Sequence, residues 1–142
     1  MNLNTDFVNK LRSSGLRPTK QRLKICEILF NTEKTFHFTI NDLSKIISEK
    51  LNEKISLATV YNTVHAFKNK GYLKEISINS DKSYFDTNTS VHHHFFDEDT
   101  NELIDCNEND IDSINVKNNI TGKKINSVEV LIKVASDNQN QN

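Results

Sequence analysis

Apolar positions recur at helical spacing from Phe7 to Phe67, and from Tyr72 onward they alternate with polar ones. Residues 4–14 predict a first helix with Phe7, Val8 and Leu11 on one side, ended by Gly15. After the Arg17-Pro18 turn, Thr19 can cap a second helix. Its apolar stripe is either Leu23, Cys26 and Phe30 or Ile25, Ile28 and Leu29. Thr39-Ile40-Asn41-Asp42 has the capping-box spacing and opens a third helix that buries Leu43, Ile46, Ile47 and Leu51. Ser56 caps a fourth, from Leu57 to about Asn69, with Leu57, Val60, Val64 and Phe67 inward. Thr59, Tyr61, Asn62, Thr63 and His65 fall largely off that stripe. Gly71 ends this helix, and Lys68 and Lys70 suit the dipole of its last turn.

The alternation from Tyr72 to Ile78, a turn at Asn79-Ser80-Asp81 and a return through Ser83–Asp86 predict a β-hairpin. Helices followed by a hairpin are the layout of a winged helix-turn-helix, with helices three and four as the turn motif. Four small polar residues, 87–90, make a linker. Beyond it, His92–Asp97 and Glu102–Asp105 predict two strands around an acidic turn. Residues 108–118 suggest a short helix with only loose periodicity, and the β-branched run Ser127–Val134 a strand. The expected fold class is α+β: an N-terminal winged helix-turn-helix domain followed by a small α/β dimerisation domain. Its boundaries are 1–86, a hinge at 87–90, a dimerisation and sensing domain at 91–135, and a disordered tail at 136–142. The second unit is too small to bury a core alone and would gain by pairing with a second copy.

Charge divides the chain the same way. Residues 1–84 hold fourteen Lys/Arg and eight Asp/Glu, a net of +6, whereas residues 85–142 hold four Lys and eleven Asp/Glu, a net of −7. Only the N-terminal half is suited to meet phosphate, and Arg17, Lys20, Arg22 and Lys24 cluster at the start of the second helix. Cys26 and Cys106 are far apart and form neither a disulfide framework nor a four-cysteine zinc site. No signal-like segment or membrane-length apolar run is present, so a soluble, cytoplasmic protein with no membrane contact is expected.

The candidate chemistry centres on His92, His93 and His94, with Asp97, Glu98, Asp99, Glu102 and Asp105 just beyond. Imidazoles beside carboxylates suggest a metal or haem site; the plain alternative is a surface histidine run. On a strand, positions i and i+2 share a face, so His92 and His94 can share one ion while His93 points away. A small metallohydrolase using His92, His94 and Asp105 would be the enzyme reading, but no nucleophile or general-base motif accompanies them, and no enzyme is expected.

Several stretches resemble the ferric uptake regulator family of metal-dependent transcription regulators. Gly15–Arg22 looks like its Gly-Leu-Arg-x-Thr-x-x-Arg segment, and His37–Leu43 like its His-x-[Ser/Thr]-x-x-[Asp/Glu]-Leu stretch. Ser56–Val64 is similar to its recognition-helix signature, the most specific match. Within the family, Thr59–Thr63 with His92–Phe96 looks closest to the iron response regulator subgroup, in which haem reports iron status. The haem-binding Cys-Pro motif of some members is absent.

The resemblance implies an interdomain metal site whose matching positions are His37, Asp86, His92, His94 and Asp105. Fe²⁺, Mn²⁺ and Zn²⁺ all suit such nitrogen and oxygen donors. It leaves His92, His93 and His94 as the haem alternative. A second family site would need ligands at Val91 and Ser127, where none stands, and the cysteine zinc site would need Cys at Asp97 and Thr100. On DNA, Tyr61 matches the family's base-reaching tyrosine. Thr59 and Asn62 would reach bases or phosphate, and Arg17, Lys20 and Arg22 the backbone. The expected function is a homodimeric metal- or haem-responsive regulator of iron and haem genes, a repressor by preference, on a palindromic double-stranded operator. Peroxide- or zinc-responsive regulation and a metal- or haem-buffering role are the alternatives.

Overall fold

The computed structural model describes residues 3–138, and the chain divides into two compact units at Thr89/Ser90. Residues 139–142 of the expected tail lie outside the described residues. Helix and sheet segregate along the chain, as in an α+β protein.

The first unit opens with four helices, α1 (Leu3–Ser13), α2 (Lys20–Phe30), α3 (Ile40–Leu51) and α4 (Leu57–Lys70). The starts of α2, α3 and α4 follow from their caps. The Thr19 hydroxyl accepts from the Arg22 amide, and the Ser56 hydroxyl from the Thr59 amide. Thr39 and Asp42 form a full capping box: the hydroxyl accepts from the Asp42 amide and the carboxylate from the Thr39 amide, both at 3.1 Å. Gly71, at φ 93°, ends α4 in the left-handed region, and the Tyr72 amide reaches back to the Phe67 carbonyl at 2.9 Å.

The helices meet in one core, with Phe7, Leu11, Ile25, Cys26, Leu29, Leu43, Ile47, Val60, Val64 and Phe67 buried. Two positions on α4 differ from the predicted stripe. Leu57, at the helix start, is 53% exposed, whereas Thr63 is fully buried. Thr63 tolerates burial because its hydroxyl donates to the Thr59 carbonyl at 2.7 Å.

A three-stranded sheet completes this unit. The expected hairpin is β2 (Lys74–Asn79) and β3 (Lys82–Asp86), and the unanticipated β1 (His37–Phe38) pairs antiparallel with β3 in the order β1-β3-β2. Two residues are too few for a periodicity to show. β1 is instead fixed from outside: the Thr87 amide donates to the Phe36 carbonyl and the Phe36 amide to the Thr87 hydroxyl.

In the second unit, β4 (His94–Asp97) is the central strand, antiparallel to β5 (Glu102–Asp105) and parallel to β6 (Leu131–Val134). Phe96 and Leu103 are its buried apolar residues. The helix expected over 108–118 does not form: these residues hold turns and irregular backbone. Asn, Asp and Ser there compete for backbone hydrogen bonds, and the β-branched Ile111, Ile114 and Val116 favour helix weakly. The strand expected over 127–134 is confined to its last four residues, where β4 offers a partner. Among the described residues, no helix is long and apolar enough to cross a membrane.

Removing the α3 cap with Thr39→Ala should lower stability by about 1 kcal/mol in urea unfolding, with Thr39→Ser near wild type. Burial pushes the Cys26 thiol up to about 12, from an ordinary value near 9. The unfolded chain would lose this proton above about 9 and the folded chain only near 12, so the thiol makes the fold progressively less stable between those values. At pH 8 a chromogenic thiol reagent should therefore modify Cys106 alone, with Cys26 reacting only in denaturant. Two reactive thiols in the native protein would contradict this packing.

Candidate metal centre and nucleic-acid interface

The second unit gathers three of the expected ligands. His94 stands directly opposite Asp105 in the β4/β5 register. Its Nε2 lies 3.1 Å from Asp105 Oδ1, and His92 Nε2 lies 3.5 Å from the same oxygen. The two imidazole rings are 4.3 Å apart, and one ligand atom from each of the three residues lies within 4.8 Å of the others. His92 precedes β4 rather than lying on it, yet it reaches the same face as His94.

A backbone carbonyl orients His92. Its Nδ1 is 2.8 Å from the Ser90 carbonyl oxygen, which can only accept, so Nδ1 carries a proton and Nε2 is the ring nitrogen turned toward Asp105. His94 is buried and Asp105 exposed, so the cluster has a dry side and an open side. Two imidazole nitrogens and a carboxylate oxygen fit a borderline divalent ion of the Fe²⁺, Mn²⁺ or Zn²⁺ type.

His93 is turned elsewhere, as strand parity predicts. Its Nδ1 accepts from the Val130 amide at 2.9 Å, which leaves the ring proton on Nε2. It lines a cavity of about 440 Å³ with Val91, Cys106, Asp112 and Val128. Burial raises the Cys106 thiol above its ordinary value, helped by the charges of Asp110 and Asp105.

The first unit holds the other two expected ligands, His37 and Asp86, directly opposite each other on β1 and β3. The His37 ring meets the edge of Tyr84. Asp86 is 1% exposed, and its Oδ1 accepts from the Asn88 amide at 2.9 Å. A carboxylate so deeply placed needs hydrogen-bond or cationic partners to hold its charge.

The expected DNA residues lie on α4 and around the start of α2. Tyr61 and Asn62 are exposed on α4. The Thr59 hydroxyl is hydrogen-bonded to the Ser56 hydroxyl at 2.8 Å, a capping role. Arg17 and Lys20 are exposed, whereas Arg22 Nη1 donates to the Arg17 carbonyl at 3.0 Å and braces the turn. One feature went unread in the sequence: the Tyr61 ring stacks on His65, whose ring abuts Phe85. The i, i+4 spacing of Tyr61 and His65 was the available signal.

An α+β chain with a basic helical half and a His/Asp cluster is the outline of a metal-responsive DNA-binding regulator. The model of the ferric uptake regulator family matches residues 13–134, and this chain belongs to that family of metal-responsive transcription regulators. Its relatives include the peroxide-responsive repressor PerR of Staphylococcus epidermidis, 32% identical over 109 residues, covering 77% of this chain and 71% of that protein. The peroxide operon regulator of Bacillus subtilis is 32% identical over 121 residues, covering 84% and 81%. Among solved structures, the ferric uptake regulator of Vibrio cholerae matches with a TM-score of 0.68 at 22% identity, over 91% of this chain and 98% of that one. That of Pseudomonas aeruginosa with manganese matches at 0.64 and 21%, over 92% and 97%. These two likenesses show the fold.

Replacing His92 and His94 together by Ala should weaken Mn²⁺ binding, read by calorimetry, beyond the roughly 100-fold that changes in outer-shell partners cost. Unchanged affinity would remove both from the ligand set.

Proposed function

We propose that this chain is a peroxide-responsive, metal-dependent transcriptional repressor acting as a cytoplasmic homodimer on a palindromic operator. The observation that carries the reading is the His92–His94–Asp105 cluster in a chain 32% identical to two regulators named for their peroxide response. The first unit would be the winged-helix DNA-binding domain, residues 87–90 the hinge, and residues 91–135 the small α/β dimerisation domain.

In this reading, His37 and Asp86 join His92, His94 and Asp105 around one ion. Asp86 and His92 are six positions apart, so the chain itself keeps their backbones within roughly 20 Å at any hinge angle. Ligands from both sides of residues 87–90 would restrict that hinge. The restricted angle would set whether two recognition helices fit successive major grooves, about 34 Å apart. Each chain would supply Tyr61 and Asn62 to base edges and Arg17 and Lys20 to the backbone. Bound Fe²⁺ would supply the one-electron reduction of peroxide that Zn²⁺ does not offer. Ser90 would hold His92 in the ligating tautomer, and buried His94 would keep the inner side of the site from water.

The likeness to the iron response regulator subgroup rests on Thr59–Thr63 and His92–Phe96, and the relatives named above carry peroxide names instead. Haem is therefore not part of this proposal. Binding to a duplex enriched on the protein from a random-sequence pool tests it. Peroxide should abolish binding by the Fe²⁺-loaded protein and spare the Zn²⁺-loaded one. Equal loss, or equal retention, would overturn the peroxide reading.

A further inference from the structure

Exposed tyrosines on a helix surface ordinarily sample more than one staggered rotamer. Tyr61 is 50% exposed, yet its ring is not left to itself. The ring of His65, one turn further along α4, lies 4.1 Å away with the planes inclined at 36°. His65 in turn meets Phe85 edge-on, at 5.3 Å and 77°. Phe85 is 2% exposed and stacks on Phe38 at 6.1 Å, across the β1/β3 ladder. His65 is thus a half-buried wedge between a fixed aromatic base and an exposed reading ring. All four rings belong to the first unit.

The place of Phe85 gives the wedge added meaning. His37 pairs with Asp86 and Phe38 with Phe85 on adjacent rungs of one ladder. Side chains alternate along a strand, so the two aromatics stand on the face opposite the two expected ligands. The position of β3 therefore bears on Tyr61 through a single intervening side chain.

We propose that His65 is the positioning residue of the DNA-reading helix: backed by Phe85, it braces the Tyr61 ring in the orientation presented to base edges. This rests on the reading of Tyr61 as a DNA contact. The ring is what His65 contributes. A phenylalanine can replace it, whereas a cation on a flexible stem cannot. Positioning acts on sequence-specific binding. A phosphate contact by His65 would instead add to all DNA binding alike and to its salt dependence.

The test is a double-mutant cycle on the Zn²⁺-loaded full chain, read by fluorescence anisotropy at several salt concentrations. The probes are the duplex enriched on the wild-type protein and a scrambled duplex of the same composition. His65→Ala should weaken binding to the enriched duplex about three- to tenfold, the range of an aromatic pair. It should leave the scrambled duplex and the salt slope unchanged and add nothing in the Tyr61→Ala background. His65→Phe should bind as wild type, and it keeps the test valid if His65→Ala folds poorly. Losses that add to those of Tyr61→Ala would overturn the proposal. So would a salt slope reduced by about one and restored by His65→Lys, because His65 would then be a phosphate contact. Wild-type binding by His65→Ala alongside weak binding by Tyr61→Ala would overturn the positioning role alone. Wild-type binding by Tyr61→Ala would overturn the underlying reading of Tyr61.

Discussion

Two imidazole nitrogens aimed at one carboxylate oxygen are the constraint on which the second unit turns. The β4/β5 register places His94 opposite Asp105, and the Nδ1 contact with the Ser90 carbonyl orients His92 so that its Nε2 points the same way. A one-residue slip of β4 would bring His93 to that position, although its Nδ1 serves the Val130 amide. The register therefore separates two histidines that can ligate from one that fastens the approach to β6. A central strand suits this role, because pairing on both edges holds its side chains more closely than an edge strand would.

The first unit solves a related problem with fewer residues. β1 is two residues long, yet it sets His37 opposite Asp86 and Phe38 opposite Phe85. Bonds between Phe36 and Thr87 on the rung beyond keep so short a strand in place. One side of the ladder then carries groups able to bind a cation, and the other carries aromatic packing that leads through His65 to Tyr61. In the proposed reading, metal binding and DNA reading would meet on the same rungs.

The helical half was legible because its signals are local. Caps at Thr19, Thr39 and Ser56 and the stop at Gly71 lie where sequence spacing puts them. Of the details that escaped, β1 has no period of its own and depends on the distant Phe36–Thr87 contacts. Thr63 escaped because a polar residue reads as outward, although a local hydrogen bond to the Thr59 carbonyl lets its hydroxyl tolerate burial. The second half was harder to read. Ser127–Val134 has strong strand composition, but only the part that finds β4 as a partner becomes strand. The weak periodicity of residues 108–118 gives no helix where Asn, Asp and Ser are frequent. His93 is turned away from His92 and His94, as parity suggested, although both His92 and His93 lie before the strand. The ring stack on His65 needed the position of Phe85, which local spacing does not contain.

The proposed function turns on an ion that His92, His94 and Asp105 would share with His37 and Asp86, so that ligands from both sides of residues 87–90 would restrict a hinge there. The most direct measurement of that restriction is the distance distribution between spin labels at Glu49→Cys and Thr100→Cys in a Cys106→Ser background, where buried Cys26 stays unlabelled. Labelled chains diluted into unlabelled ones report distances within a single chain. Zn²⁺ should narrow a broad distribution, and the narrowing should vanish when His92 and His94 are both replaced by Ala. A distribution indifferent to Zn²⁺, or one that narrows equally in that variant, would contradict the account.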